Sequence, residues 1–211
     1  MDLDLSRLML KQLRLVRESG VAAEVVRRRV DGPGITAHHE AGHAVIGYHY
    51  SFVIKSIEIG RNAEAEAASG MAEGRFSAGN TLIDFGNDDP HGPYVSLKAE
   101  AIACQQFAGH IASTFFAPDV SVTLAKSDYE SARDVLLQYG RPTGKRRDLE
   151  RYVEELEKRT ASLVEKHWQV VNALAKDLVQ RTKLPGRRAT AIVEMHYQGV
   201  RPPPLWRSPL G

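Results

Sequence analysis

The feature of this 211-residue chain that most constrains its fold is the segment His39-Glu40-Ala41-Gly42-His43. Two histidines four residues apart lie on one face of a helix, with their Cβ atoms about 5–6 Å apart. That spacing lets two imidazole nitrogens reach one Zn²⁺ ion at about 2.0–2.1 Å. A chance match is expected only about 0.02 times in a chain of this length and composition. The pattern therefore predicts a helix that carries a zinc site.

Glu40 adds chemistry to this predicted helix because it lies beside the first histidine. A carboxylate there can take a proton from water that the metal activates and deliver it to a leaving amine. We therefore predict that His39 and His43 are metal ligands and that Glu40 is the catalytic base. Gly42 costs a helix about 1 kcal/mol relative to alanine, which indicates close packing against another element.

A catalytic zinc site needs a third protein ligand, and several residues are candidates. His49 has the spacing of the third histidine in the metzincin pattern, but Ile46 stands where that pattern has glycine. On a continuous helix His49 points away from the two ligands. Glu64 and Glu66 lie in a predicted loop. His38 adjoins a ligand but points off its face, so we expect it to be exposed or to support the site from outside.

Asp128 is the better candidate for the third ligand. It lies in Ser127-Asp128-Tyr129-Glu130, whose Ser-x-x-Glu form is typical of a capping box and predicts the first turn of a helix. An aspartate there can also serve only to complement the helix dipole. The residues themselves leave both interpretations open.

Hydrophobic periodicity predicts a mainly α (α+β) protein in which a small β element follows the histidine helix. Helices are predicted at residues 4–28, from the cap Thr36 to about His49, and at 95–116, 127–139, 147–182 and 188–197. Strands are predicted at 52–59 and 71–76, and most of the remaining residues between 60 and 93 are predicted to form loop. The predicted organisation is an amphipathic helical arm (1–32), one main domain (33–200) and a Pro-rich tail (201–211).

Composition narrows the range of partners. The formal net charge is only +2, so nucleic acid is not an expected partner. The single cysteine, Cys104, excludes an internal disulfide and is expected to be a buried apolar residue. No apolar run is long enough for a membrane span, and the start of the chain lacks the basic residues of a signal peptide. These observations favour a cytoplasmic protein.

Five segments, in order along the chain, resemble one known family. They comprise residues 38–47 with the zinc motif, 55–61, 99–116 with Phe107-Ala108-Gly109-His110, 125–132 with Asp128, and 164–185. Together they resemble the peptidase domain of the FtsH-type ATP-dependent zinc metalloproteases over roughly residues 35 to 196. The resemblance implies that Asp128 is the third zinc ligand beside His39 and His43.

The chain also departs from that family's pattern. No phosphate-binding loop ending in Gly-Lys-Ser/Thr occurs in the sequence, so the ATPase module is not expected in this chain. His110, Ser113 and Thr114 stand where the family typically has an arginine followed by a pair of glutamates. The polar groups around the metal are therefore expected to differ from those of the family.

The resulting expectation is an ATP-independent zinc endopeptidase that hydrolyses unfolded or extended polypeptides. Strand 52–59, or the strand predicted at 71–76, is expected to offer an open edge on which such a substrate pairs. The alternative is a non-catalytic, metal-stabilised binding module derived from such a peptidase. The sequence leaves open whether the chain forms a homo-oligomer or works with a separate ATPase partner.

Overall fold

The computed structural model describes residues 32–59, 79–84, 95–118, 126–140 and 146–197. Within these ranges the elements are α1 (Gly32–His49), β1 (Val53–Ile59), β2 (Gly79–Asp84), α2 (Val95–Phe116), α3 (Lys126–Tyr139), α4 (Arg146–Lys166), α5 (Trp168–Arg181), β3 (Lys183–Pro185) and α6 (Gly186–His196). The predictions for residues 4–28, for the strand at 71–76, for Glu64 and Glu66 and for the Pro-rich tail lie outside these residues. The described residues confirm the mainly α class with a small β element.

Helix α1 lies at the centre of the fold. Every residue from 34 to 48 is buried, because α2, α4, α5, α6 and the strands β1 and β2 all pack against it. A helix that is enclosed on all sides needs small or apolar residues all round, and alanine, valine and isoleucine supply most of them here. The side chains of the histidine motif therefore project into the interior and not into bulk solvent.

The packing of α1 against α2 is unusually close at Gly42. A Cβ atom at this position would lie 2.5 Å from the backbone oxygen of Ala108 and 2.7 Å from the Cβ of Ala112. Only glycine fits between the two helices at this point. This contact is the close packing predicted from the cost of placing glycine inside a helix.

The three strands form one antiparallel sheet in the order β2-β1-β3. Ile57, in the middle of β1, pairs with Thr81 on one side and with Leu184 on the other. The strand predicted at 52–59 is confirmed, but residues 79–84 form a strand where loop was predicted. Strand β1 is also not an open edge, because both of its sides are already paired. Hydrogen bonding to segments distant in the sequence explains both errors.

The helix boundaries agree with the sequence pattern except at two places. Residues 147–182 were predicted as one helix, but the chain breaks at His167 into α4 and α5. No glycine or proline marks this break; the buried ring of His167 stacks on Tyr197, with ring centroids 4.5 Å apart. Helix α1 begins at Gly32, inside the predicted turn, and Thr36 lies within it and does not cap it. Pro33 is compatible with this start because the first helical turn needs no backbone N–H from it.

Two further sequence predictions concern single features. Cys104 is buried, as predicted for a small apolar side chain. None of the described helices has the length and the apolar character needed to cross a membrane.

Candidate metal centre

Helix α1 brings His39 and His43 together as their spacing predicts. Their Nε2 atoms lie 3.0 Å apart, and the two rings meet edge to face with centroids 4.6 Å apart. Both residues are buried, with exposed fractions of 5% and 6%. Bulk water therefore has little access to the two converging nitrogens.

Helix α2 fixes the orientation of the His43 ring. The Nδ1–H of His43 donates a hydrogen bond of 2.7 Å to the backbone oxygen of Gln105. A proton on Nδ1 leaves the lone pair of the neutral imidazole on Nε2, the atom that faces His39. Hydrogen bonds of this kind, from the second ring nitrogen to a carbonyl, are a regular feature of metal-binding histidines.

Helix α3 contributes Asp128 from its first turn, where the capping-box pattern predicted it. Its Oδ2 atom lies 3.1 Å from Nε2 of His39 and 3.4 Å from Nε2 of His43. Among the described residues, this buried oxygen has no partner apart from the two imidazoles. A residue 85 positions beyond His43 in the sequence thus completes a cluster of three potential ligands.

The three ligand atoms have a geometry that fits a metal ion. They all lie within 4.8 Å of one another, and their separations of 3.0 to 3.4 Å are close to tetrahedral. A tetrahedral ion with bonds of about 2.0–2.1 Å separates its ligand atoms by about 3.3 Å. Where both Nε2 atoms are unprotonated, two lone pairs and a carboxylate oxygen repel one another unless a positive centre lies between them. His39, His43 and Asp128 could therefore hold a metal ion.

The pKa values of His43 and Asp128 are shifted because these side chains lie close together. Burial alone would lower the pKa of His43, but its hydrogen bond with Asp128 and the charges of Glu40 and Asp128 outweigh burial and raise it. Burial would likewise raise the pKa of Asp128, but hydrogen bonds from His39 and His43 hold that pKa well below its usual range. Asp128 is thus kept as a carboxylate, the form that binds metal.

Two further groups lie beside the cluster. Glu40 is buried, with 4% of its surface exposed, and its charge is near enough to His43 to help raise the pKa of that residue. His110, on α2, lies near His39 and Asp128; burial and the proximity of His39 lower its pKa. The Nδ1 of His110 is buried and has no hydrogen-bond partner among the described residues. Both groups can therefore interact with whatever occupies the cluster.

The remaining histidines of α1 lie outside the cluster. His38 was expected to be exposed or to support the site, but it is buried; its ring stacks on Phe116 at 3.8 Å and its Nδ1–H donates to the Gly34 oxygen. His49 accepts a hydrogen bond of 2.7 Å at Nδ1 from the hydroxyl of Tyr197, far along the chain. The third position beside His39 and His43 belongs to Asp128 and not to His49.

Sequence reasoning missed two contributions of α2. The carbonyl of Gln105 carries no signal, because every residue has a backbone oxygen. Gly109 did carry one: a glycine inside a predicted helix has a cost that close packing can explain, as at Gly42. A Cβ atom at Gly109 would lie within 3 Å of both imidazole rings.

No protein-family model matches the chain, and no curated protein sequence does either. The resemblance to the FtsH-type peptidase domain therefore stays a prediction from its motifs, and the geometry of the site has to carry the functional argument.

Proposed function

We propose that this chain is a zinc-dependent endopeptidase that hydrolyses unfolded or extended polypeptides. The observation that carries the proposal is the convergence of His39, His43 and Asp128, within 3.0 to 3.4 Å of one another, on the helix face beside Glu40. The resemblance of residues 35–196 to the FtsH-type peptidase domain leads to the same activity. The distances are observed separately from the motif comparison, and both arguments concern the same three residues.

Zinc is the metal that this set of donors suits best. Two imidazoles and one carboxylate are the protein ligands of several catalytic zinc sites, in which a fourth position stays free for water or substrate. Imidazole favours zinc and other transition metals over magnesium and calcium, which prefer sites made only of oxygen. When bound, zinc would supply a Lewis acid that polarises a peptide carbonyl and acidifies water.

Glu40 has the proton-transfer role in this proposal. Its carboxylate takes the proton from the attacking water and passes it to the nitrogen of the leaving amine. Its burial favours this role because a carboxylate screened from bulk solvent interacts more strongly with the reacting groups. His43, oriented by the Gln105 carbonyl, and Asp128, held as a carboxylate, would hold the metal beside it.

Strand β2 is the edge on which we propose that an extended substrate pairs. It packs against α1, the helix that carries the histidines. Among the described residues its only strand partner is β1, and we propose that its other side forms main-chain hydrogen bonds with the substrate. A folded domain is stable by about 5–15 kcal/mol and rarely exposes a segment that can pair in this way. Unfolded chains are therefore the expected substrates, and folded ones would require a separate unfolding partner.

The deciding experiment is cleavage of casein, a disordered protein, by the purified chain loaded with zinc. We expect cleavage that a chelator abolishes and that added ATP does not change. The variant Glu40→Gln keeps the size and polarity of the side chain but removes the base, so hydrolysis should fall by at least roughly 100-fold while zinc is retained. Glu165→Gln, an exposed change on α4, is the matched control and should cleave like the wild type.

Three results would contradict parts of the proposal. Equal turnover by the Glu40→Gln variant would remove Glu40 from the role of base. Stimulation of the pure chain by ATP would contradict its ATP independence. Bound zinc without any cleavage of casein would favour the alternative, a metal-stabilised binding module.

A further inference from the structure

Helix α2 approaches the histidine rings most closely at Gly109. A Cβ atom built there would lie 2.6 Å from Cε1 of His43 and 2.8 Å from Cε1 of His39. Real Cβ atoms essentially never come this close to another heavy atom, so a side chain at this position would force both rings to move. The backbone of α2 at Gly109 is thus in close contact with both imidazole rings.

The rings have little freedom to move away from the backbone of α2. His43 is bound through Nδ1 to the carbonyl of Gln105, one helical turn before Gly109 on the same helix. On the other side, Oδ2 of Asp128 lies near both Nε2 atoms. Any side chain at position 109 would therefore break the hydrogen bond to Gln105 or separate the rings from Asp128.

We propose that Gly109 is a positioning residue for the metal ligands. Because Gly109 lacks a side chain, the rings of His39 and His43 can both pack against α2, edge to face with each other, and turn their Nε2 atoms toward Asp128. The inference rests on the metal site of the proposed function but not on catalysis. It assigns a specific role to a glycine that would otherwise only weaken helix α2.

Gly109 differs in this respect from Gly42, the other glycine at the contact of α1 with α2. A Cβ atom at Gly42 would meet the backbone oxygen of Ala108 and the side chain of Ala112. Gly42 therefore allows the two helices to pack, whereas Gly109 allows the two ligands to be oriented. A substitution at Gly109 should act on metal binding through the histidine rings, and removing those rings should abolish its effect.

The first test measures zinc affinity by competition with a chromophoric chelator for the wild type, Gly109→Ala and the control Ala108→Gly. The control weakens the same turn of α2 but adds nothing beneath the rings. We expect Gly109→Ala to bind zinc at least about tenfold more weakly, in the range found when a supporting group of a metal ligand is disturbed. Its Co²⁺ complex should also show an altered visible spectrum, while Ala108→Gly keeps the affinity and spectrum of the wild type. Wild-type behaviour of Gly109→Ala would overturn the inference.

The second test is a mutant cycle that needs no metal. Gly109→Ala is introduced into the wild type and into a His39→Ala/His43→Ala background, and denaturant unfolding is measured in excess chelator. We expect the substitution to lower the unfolding midpoint of the wild type but to leave unchanged or raise that of the background, because alanine is the better helix former. If the single variant does not fold, recovery of folding in the triple variant supports the inference. An equal loss in both backgrounds would overturn it.

The two tests separate this inference from the proposed function. A wild-type chain that binds no zinc would contradict the proposed function, but the mutant cycle would still decide whether Gly109 makes room for the imidazoles. A chain that binds zinc without cleaving casein would leave both tests of Gly109 intact.

Discussion

Helix α1 presents histidines to two different regions of the molecule. On one side His39 and His43 point their Nε2 atoms at each other and at a carboxylate oxygen of α3. On the other side His38 and His49 are packed among aromatic rings: His38 against Phe116 and Trp168, and His49 against Tyr50, His167 and Tyr197. All four residues belong to one helix and one 12-residue stretch.

The difference between these regions lies in what the neighbouring helices place opposite the rings. The first pair meets a backbone carbonyl, a glycine and a carboxylate, which orient the ring nitrogens and leave them facing a common point. The faces of the second pair meet aromatic rings, while the nitrogens of His38 face the Gly34 carbonyl and the Asn172 side-chain oxygen and Nδ1 of His49 faces the Tyr197 hydroxyl. A histidine therefore becomes a potential metal ligand through its surroundings, and its position on the helix is only a precondition.

The largest expected difference between the two regions is in the zinc content of the protein after one imidazole is removed from each region. The variant His43→Ala should lose the roughly one zinc per chain that we expect in the wild type, because it retains only two of three ligands. The variant His49→Gln should keep it, since glutamine can still accept the hydrogen bond from Tyr197. Elemental analysis of both purified proteins measures the outcome. Equal zinc content in the two variants would show that the two regions do not differ in metal binding.

A smaller effect is expected from a change of charge on α3. Asp128→Asn keeps the shape of the side chain but replaces the carboxylate by a neutral amide, so we expect zinc affinity to fall on the order of 10- to 100-fold. Asp134→Asn, an exposed change on the same helix, is the matched control and should bind zinc like the wild type. Chelator competition measures both. An unchanged affinity in Asp128→Asn would mean that the third ligand lies elsewhere.

The smallest effect concerns the aromatic region and its response to acid. Burial, followed by the nearby His167 and Lys166, lowers the pKa of His49 to about 4 from an ordinary value of 6.5. The stability that His49 contributes is therefore complete above pH 6.5 and is lost as the pH falls toward 4, where the unfolded chain takes up a proton that the folded chain does not. Because His49 is partly exposed to solvent, we expect a loss of only about 1 kcal/mol.

Unfolding of the metal-free wild type and of His49→Gln between pH 7 and 4 tests this expectation. The wild type should lose stability more steeply than the variant over this range, since glutamine does not titrate. Both proteins are measured with excess chelator, so that proton competition at the metal site does not contribute to the difference. Parallel pH profiles would show that His49 titrates normally and that the aromatic region does not suppress its protonation.

Much of the fold follows from local patterns in the sequence. The helix at 95–116 has the predicted boundaries and the strand predicted at 52–59 forms at 53–59, because apolar periodicity and turn residues act over a few positions. Two of the prediction errors in the described residues, at β2 and at His167, occur where a distant segment decides the conformation. Strand β2 exists because β1 pairs with it, and the break at His167 accompanies the stacking of its ring on Tyr197.

The candidate site also combines features that follow from the local sequence with features that depend on distant contacts. The sequence by itself determined that His39 and His43 lie on one helical face with Glu40 beside them, since helix geometry fixes neighbours three and four residues apart. Only the tertiary structure decided that Asp128 lies against the two imidazoles, that the Gln105 carbonyl orients one of them, and that Gly109 leaves them room. These contacts join residues more than 60 positions apart. Such contacts depend on how whole helices pack, which no local spacing in the chain specifies.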